Sequence, residues 1–132
     1  MSENLVQYII VRKDVLKDQG LYFIMSEACL VCSSVHFTFH EDPVTQKYFS
    51  DIDNMHKVVL GVDNEAQLLK LANDLKEKDF SFELRTNPEK NIPTCLAIKV
   101  YEKKFDLLLQ SFVLFPQPCI FFDEILNSQS NN

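Results

Sequence analysis

The chain has 132 residues, with 13 lysines and arginines against 19 aspartates and glutamates, for a net charge of −6. At 46% hydrophobic and 24% charged residues, it has the balance of one globular domain, which excludes wholesale disorder. The acidic total argues against a broad nucleic-acid face, because phosphate contacts need surface cations. Two glycines in all, Gly20 and Gly61, exclude the glycine-rich loops that cradle phosphates.

The opening MSENLVQYIIVRKD carries an acidic residue where a secretion signal would be positive, and lacks a small-residue cleavage site. No apolar run approaches the roughly 20 residues of a membrane span. We therefore expect a cytoplasmic protein without membrane association, its cysteines 29, 32, 95 and 119 present as thiols. In chain order, LVQYIIVR (5–12) reads as a strand. KDVLKDQG (13–20) reads as a polar connection ending in glycine. The segment from 25 to about His40 has helical length and contains neither glycine nor proline. Pro43 suits the first turn of a helix over about 43–54, and KVVLGV (57–62) suits a buried parallel strand.

NEAQLLKLANDLKEK (64–78) carries the clearest helical signals. Asn64 can cap it, Gln67 completes a capping-box spacing, and Leu68, Leu69, Ala72 and Leu75 form an apolar face. FSFELR (80–85) and TCLAIKVY (94–101) read as strands joined by the proline-punctuated TNPEKNIP. EKKFDLLLQSF (102–112) reads as a last helix. Strands alternating with helices imply a layered α/β sheet with helices on both faces. The segment FPQPCIFFDEIL then mixes apolar residues with Asp123 and Glu124. It either covers the parent domain or docks on a partner.

Cys29, Cys32, His36 and His40 resemble a row of metal ligands. On one straight helix, however, Cys29 and His40 stand roughly 16 Å apart, too far to share an ion with bonds of about 2 Å. A helix with thiols on its core face is the expectation, with no metal. A redox role for Cys29-x-x-Cys32 lacks the preceding strand and a neighbouring cation to activate a thiol.

The succession LVQYIIVRKD, a helix containing EAC, HKVVLGVDNEAQLLKLANDLKEK and EKNIPTCLAI resembles the type 2 peptidyl-tRNA hydrolase family. Within that family it is similar to the eukaryotic peptidyl-tRNA hydrolase domain-containing proteins. The resemblance spans about residues 5–115. It implies a three-layer α/β/α fold with a four-stranded mixed sheet, a domain over 1–115 and an apolar, acidic tail over 116–132. It also implies hydrolysis of the peptidyl-tRNA ester without metal or other cofactor.

In the family, a lysine-bearing loop precedes a helix with a glutamine and, three residues later, a histidine. Here these positions hold Phe23, Glu27 and Leu30. A second family segment matches RTNPEKNIPTCLAI, shorter here by about four residues, with Arg85 at its arginine, Thr86 at its aspartate, Lys90 at its first threonine and Thr94 at its last. Leucine transfers no proton, so the resemblance implies ester hydrolysis that is weak if present. Thr94, Glu27 and Thr86 would then position water or an oxyanion, Arg12, Lys13, Asp14 and Lys90 would border the substrate cleft, and Lys17 and Lys99 would extend the cationic patch toward tRNA. The alternative is a binding or adaptor module that keeps the fold and lost the chemistry. It would use its surface or residues 116–126 for a protein partner or homodimer.

Overall fold

A computed structural model describes residues 5–102. In chain order the elements are β1 (Leu5–Arg12), α1 (Lys13–Gln19), α2 (Leu21–Thr38), α3 (Pro43–Phe49), a 3-10 turn (Ile52–Asn54), β2 (Lys57–Val62), α4 (Glu65–Glu77), β3 (Phe82–Asn87), β4 (Ile92–Ile98) and β5 (Tyr101–Glu102). The sheet runs β2-β1-β4-β3, with the two-residue β5 also on β1. β1 and β2 are parallel, while β1–β4, β3–β4 and β1–β5 are antiparallel. The expected mixed α/β sheet is therefore present, with one short strand added.

β1 is buried along all eight residues, because it lies between β2 and β4 and is covered on both faces. Alternation then separates its side chains into two cores. Val6, Tyr8 and Ile10 pack with Leu68, Leu71 and Leu75 of α4 and Leu96 and Ile98 of β4. Ile9 and Val11 pack on the opposite face with Val15 of α1, Ile24, Val31 and Val35 of α2, and Cys95 and Ala97 of β4.

Several elements depart from the sequence expectation, each for a local reason. Residues 13–19 form a helix, not a connection. The Arg12 guanidinium forks onto the Asp14 carboxylate, which also accepts the Val15 N–H, so the first turn is tied down. Gly20 closes α1 with φ 97, a conformation open to glycine, and α2 starts at once at Leu21. β2 is an edge strand, buried only at Gly61 and Val62, not the enclosed strand its apolar run suggested. On α4 the buried face is Leu68, Leu71 and Leu75, whereas Leu69 is 44% exposed. Asn64 caps α4 by accepting the Gln67 N–H, and Gln67 reaches back to the N–H of Asp63.

β3 begins and ends two residues later than expected, and β4 begins two residues earlier. The turn that joins them is set by Asn87, whose Oδ1 accepts the N–H groups of Glu89 and Lys90, and by Asn91 at φ 54. α2, with 18 residues and mean hydropathy 1.3, is by length and composition apolar enough to cross a membrane, nearer to a span than its sequence suggested. Here Ile24, Val31 and Val35 line the sheet, while Tyr22, Met25, Leu30 and Phe37 face outward. Glu102 belongs to β5. The rest of the expected helix over 102–112 and the tail over 116–132 lie outside the described residues.

Candidate active site

The site begins with an irregularity between β3 and β4. Arg85 pairs with Cys95, but its neighbour Thr86 pairs with Pro93, so Thr94 is an extra residue on β4. A bulge of this kind turns two consecutive side chains to one face. Regular alternation would send Thr94 with Leu96 and Ile98 toward α4. Instead it joins Cys95 on the α2 face, its Oγ1 3.7 Å from the Cys95 Sγ.

Facing it is Glu27 of α2, a carboxylate 2% exposed. Thr94 Oγ1 donates to Glu27 Oε1 at 2.9 Å. Arg85 donates from Nε at 3.3 Å and from Nη2 at 3.4 Å, and Asn87 Nδ2 donates at 3.3 Å. Residues 85 and 87 alternate on β3 and share the α2 face. One buried carboxylate thus holds β3, β4 and α2 together, and its charge is matched by Arg85. A buried charge is tolerated only when paired and hydrogen-bonded in this way. Thr94 is fully buried, while the Arg85 side chain is 26% exposed, so the cluster opens to solvent through its guanidinium.

The structure therefore brings Glu27 and Thr94 together and leaves Thr86 apart. Thr86 is exposed and alternates to the other face of β3. Arg12 and Asp14 lie beside the cluster at the end of β1. The Arg12 Nε and Nη2 meet Asp14 at 2.9 and 2.7 Å, and Nη1 donates to the Pro93 carbonyl at 2.8 Å. The Arg12 hydrogen bonds hold the Asp14 carboxyl below its ordinary pKa, against the effect of burial. Every nitrogen of the Arg12 guanidinium is therefore engaged. Lys13 starts α1. Lys90 is exposed on the turn, its Nζ 5.8 Å from the centroid of the Phe23 ring, close enough for a cation–π contact. Phe23 is half-buried, and Leu30 is 45% exposed.

The wider cationic patch is divided. Lys99 sits at the far end of β4 from Lys90, paired with Asp42 at 3.1 Å. His36 stacks on Phe49 with centroids 4.1 Å apart, and His40 Nδ1 meets the Phe37 carbonyl. Among the described residues no group of three histidine, cysteine or acidic side chains is placed to hold a metal. Asn87 was not foreseen as a member of the site. Its place before Pro88 in a turn was the available signal, since such asparagines bond their own backbone. Its free amide nitrogen is what reaches Glu27.

The match to known proteins covers the same segments. A family model described as "Peptidyl-tRNA hydrolase PTH2" matches residues 5–115. The human protein named "Putative peptidyl-tRNA hydrolase PTRHD1" is 31% identical over 115 residues, covering 84% of this chain and 82% of that one. Its mouse counterpart of the same name is 30% identical over the same shares. With the mixed sheet, the helices on both faces and the matched segments in one order, this chain belongs to the type 2 peptidyl-tRNA hydrolase family.

Proposed function

We propose that this protein hydrolyses the ester of peptidyl-tRNA slowly, with Arg85 as the group that meets the substrate. The supporting observation is the state of that guanidinium. Nε and Nη2 are held by Glu27, the side chain is 26% exposed, and Nη1 has no hydrogen-bond partner among the described residues. A fixed cation with one outward N–H group suits the oxyanion that develops when water attacks an ester carbonyl. Cleavage gives the peptide carboxylate and the free 3′-hydroxyl of tRNA. Glu27, Thr94 and Asn87 are positioning residues, since each acts through Arg85 or through the strand that carries it. Lys90, exposed on the β3–β4 turn, and Lys13, at the start of α1, are the cations assigned to meet tRNA phosphates. With leucine at position 30 there is no imidazole there to take the water's proton, so turnover is slow.

The test is release of an N-acetylated amino acid from its tRNA by purified protein, beside the spontaneous rate. Wild type should exceed that rate. Arg85→Met should lose about 10²-fold, the scale of one oxyanion donor, and Arg85→Lys should retain part of the activity. No turnover by folded protein at high concentration refutes the reading. A second reading, an interaction module, is favoured by the outward face of α2, where Tyr22 is 86% and Phe37 78% exposed beside Met25 and Leu30. Retained folding with no turnover would favour it. The expected docking segment 116–126 lies outside the described residues.

A further inference from the structure

Ala28, Cys29, Cys32, Ser33 and His36 share one face of α2, at the spacing that stacks residues three and four apart. With Ile9 of β1, Phe49 of α3, and Lys57 and Val59 of β2, they line a cavity of about 500 Å³. Small-molecule sites ordinarily measure roughly 300–1,000 Å³. None of these residues belongs to the Glu27–Arg85 cluster.

The two thiols meet this cavity differently. Cys29 is exposed. Cys32, nearly one turn later, is half-buried and packs with Ala28 and Val59 against the core that includes Ile9, Val31 and Val35. Burial pushes the Cys32 thiol pKa up, and the positive charge of Lys57 pulls against that rise. The cation that the spacing on α2 did not offer these thiols is thus supplied by β2. A hydrogen bond to Gln7 Oε1 and contacts over the Tyr48 and Phe49 rings, 5.6 Å from each centroid, hold the Lys57 ammonium in place.

From this cluster of thiol, cation and apolar wall we infer that the cavity captures apolar α,β-unsaturated aldehydes, the class released by lipid peroxidation, with Cys32 as the nucleophile. The hydrocarbon chain lies against Ile9, Ala28, Phe49 and Val59. The Cys32 thiol gives its proton to water, and its sulfur bonds to the β-carbon. The π pair of the C=C bond moves onto the carbonyl oxygen as an enolate, which takes a proton from water at the α-carbon. The adduct contains every atom of thiol and aldehyde, so the step needs no oxidant or reductant. The Lys57 charge favours both anions on the way, the thiolate and the enolate. Binding the chain first raises the effective concentration of aldehyde beside a thiol that is otherwise slow.

The probes are trans-2-nonenal and acrolein, which carry the same reactive group and differ in the hydrocarbon. Each is added to the full chain at neutral pH. Peptide mass spectrometry after borohydride reduction reads Cys29 and Cys32 separately. Acrolein should label exposed Cys29 first. Nonenal should reverse the order, and its rate at Cys32 should level off with concentration, as reaction from a bound complex requires. Lys57→Met should slow Cys32 about threefold for a thiol pKa one unit higher, because a more basic thiolate offsets part of its lower abundance. Lys57→Arg should keep the wild-type rate. Ser33→Trp, at an exposed helix position lining the cavity, should return nonenal to the acrolein order, with folding checked by circular dichroism. The inference is overturned if nonenal labels Cys29 ahead of Cys32, or if its rate at Cys32 rises without levelling off. It is equally overturned if Lys57→Met or Ser33→Trp leaves that rate unchanged. None of these results depends on hydrolase activity.

Discussion

Replacing Thr94 with valine keeps the side-chain shape and removes one hydroxyl. In the structure that hydroxyl makes the shortest of the four contacts to Glu27, at 2.9 Å. A hydrogen bond to a charged group contributes about 1.5–3 kcal/mol. The carboxylate is 2% exposed, so water does not easily replace the lost donor, and we expect about 2 kcal/mol of destabilisation. Glu27→Gln should cost about 3 kcal/mol, the low end for breaking a buried pair, because Arg85 is 26% exposed and can turn to solvent. With glutamine at 27, the Thr94 hydroxyl has a neutral, partly donating neighbour. Thr94→Val should then cost about 1 kcal/mol, giving a coupling of about 1 kcal/mol in the double-mutant cycle. The chain has no tryptophan, so urea unfolding is best followed by far-ultraviolet circular dichroism. A Thr94→Val protein as stable as wild type, or a cycle that adds up within about 0.3–0.5 kcal/mol, would show that the cluster is not the joint between α2 and the β3–β4 bulge.

Two further expectations rest on other parts of the fold. Asp42 caps α3 through the Thr45 N–H and also accepts from the Thr45 hydroxyl and the Lys99 ammonium. Burial pushes its pKa up, but these bonds together outweigh that and leave it lowered. The stability it contributes is therefore present above the unfolded pKa of about 3.9 and is lost as pH falls through the lower folded value. Asp42→Ala should cost about 1 kcal/mol at neutral pH, and the gap from wild type should close in urea titrations near pH 3. A gap that stays constant with pH would contradict the assignment. The Cys95 thiol has no exposed surface, and burial pushes its pKa up to about 12. Among the described cysteines, iodoacetamide at pH 8 should label exposed Cys29 first, Cys32 more slowly because burial raises its pKa, and Cys95 only on unfolding. Peptide mass spectrometry reads the order, and Cys95 labelling at the Cys29 rate would contradict it.

The sequence alone determined β1, β2 and α4 to within a residue or so, and the mixed α/β class with them. Their signals are local: an unbroken apolar run for β1 and a cap with helical spacing for α4. It also indicated Glu27, Arg85 and Thr94 through the pattern of segments they occupy. What it could not fix were features that depend on residues distant in the chain. The apolar run of β2 reads as enclosed, but its exposure was decided by its place at the sheet's edge, with no strand beyond it among the described residues. Leu69 and Leu71 are chemically alike, and only the direction of α4 across the sheet made one exposed and the other buried. Thr94 alternates toward α4 in any regular register. Its turn toward Glu27 comes from a bulge set by the pairing of β3 with β4, a contact no stretch of β4 encodes by itself. Gln7 and Lys57 are fifty residues apart, neighbours only because β1 and β2 run parallel in that register. Periodicity reports which face a residue occupies on its own element. The partner across that face is a tertiary fact, and in this protein the candidate active site is built from such partners.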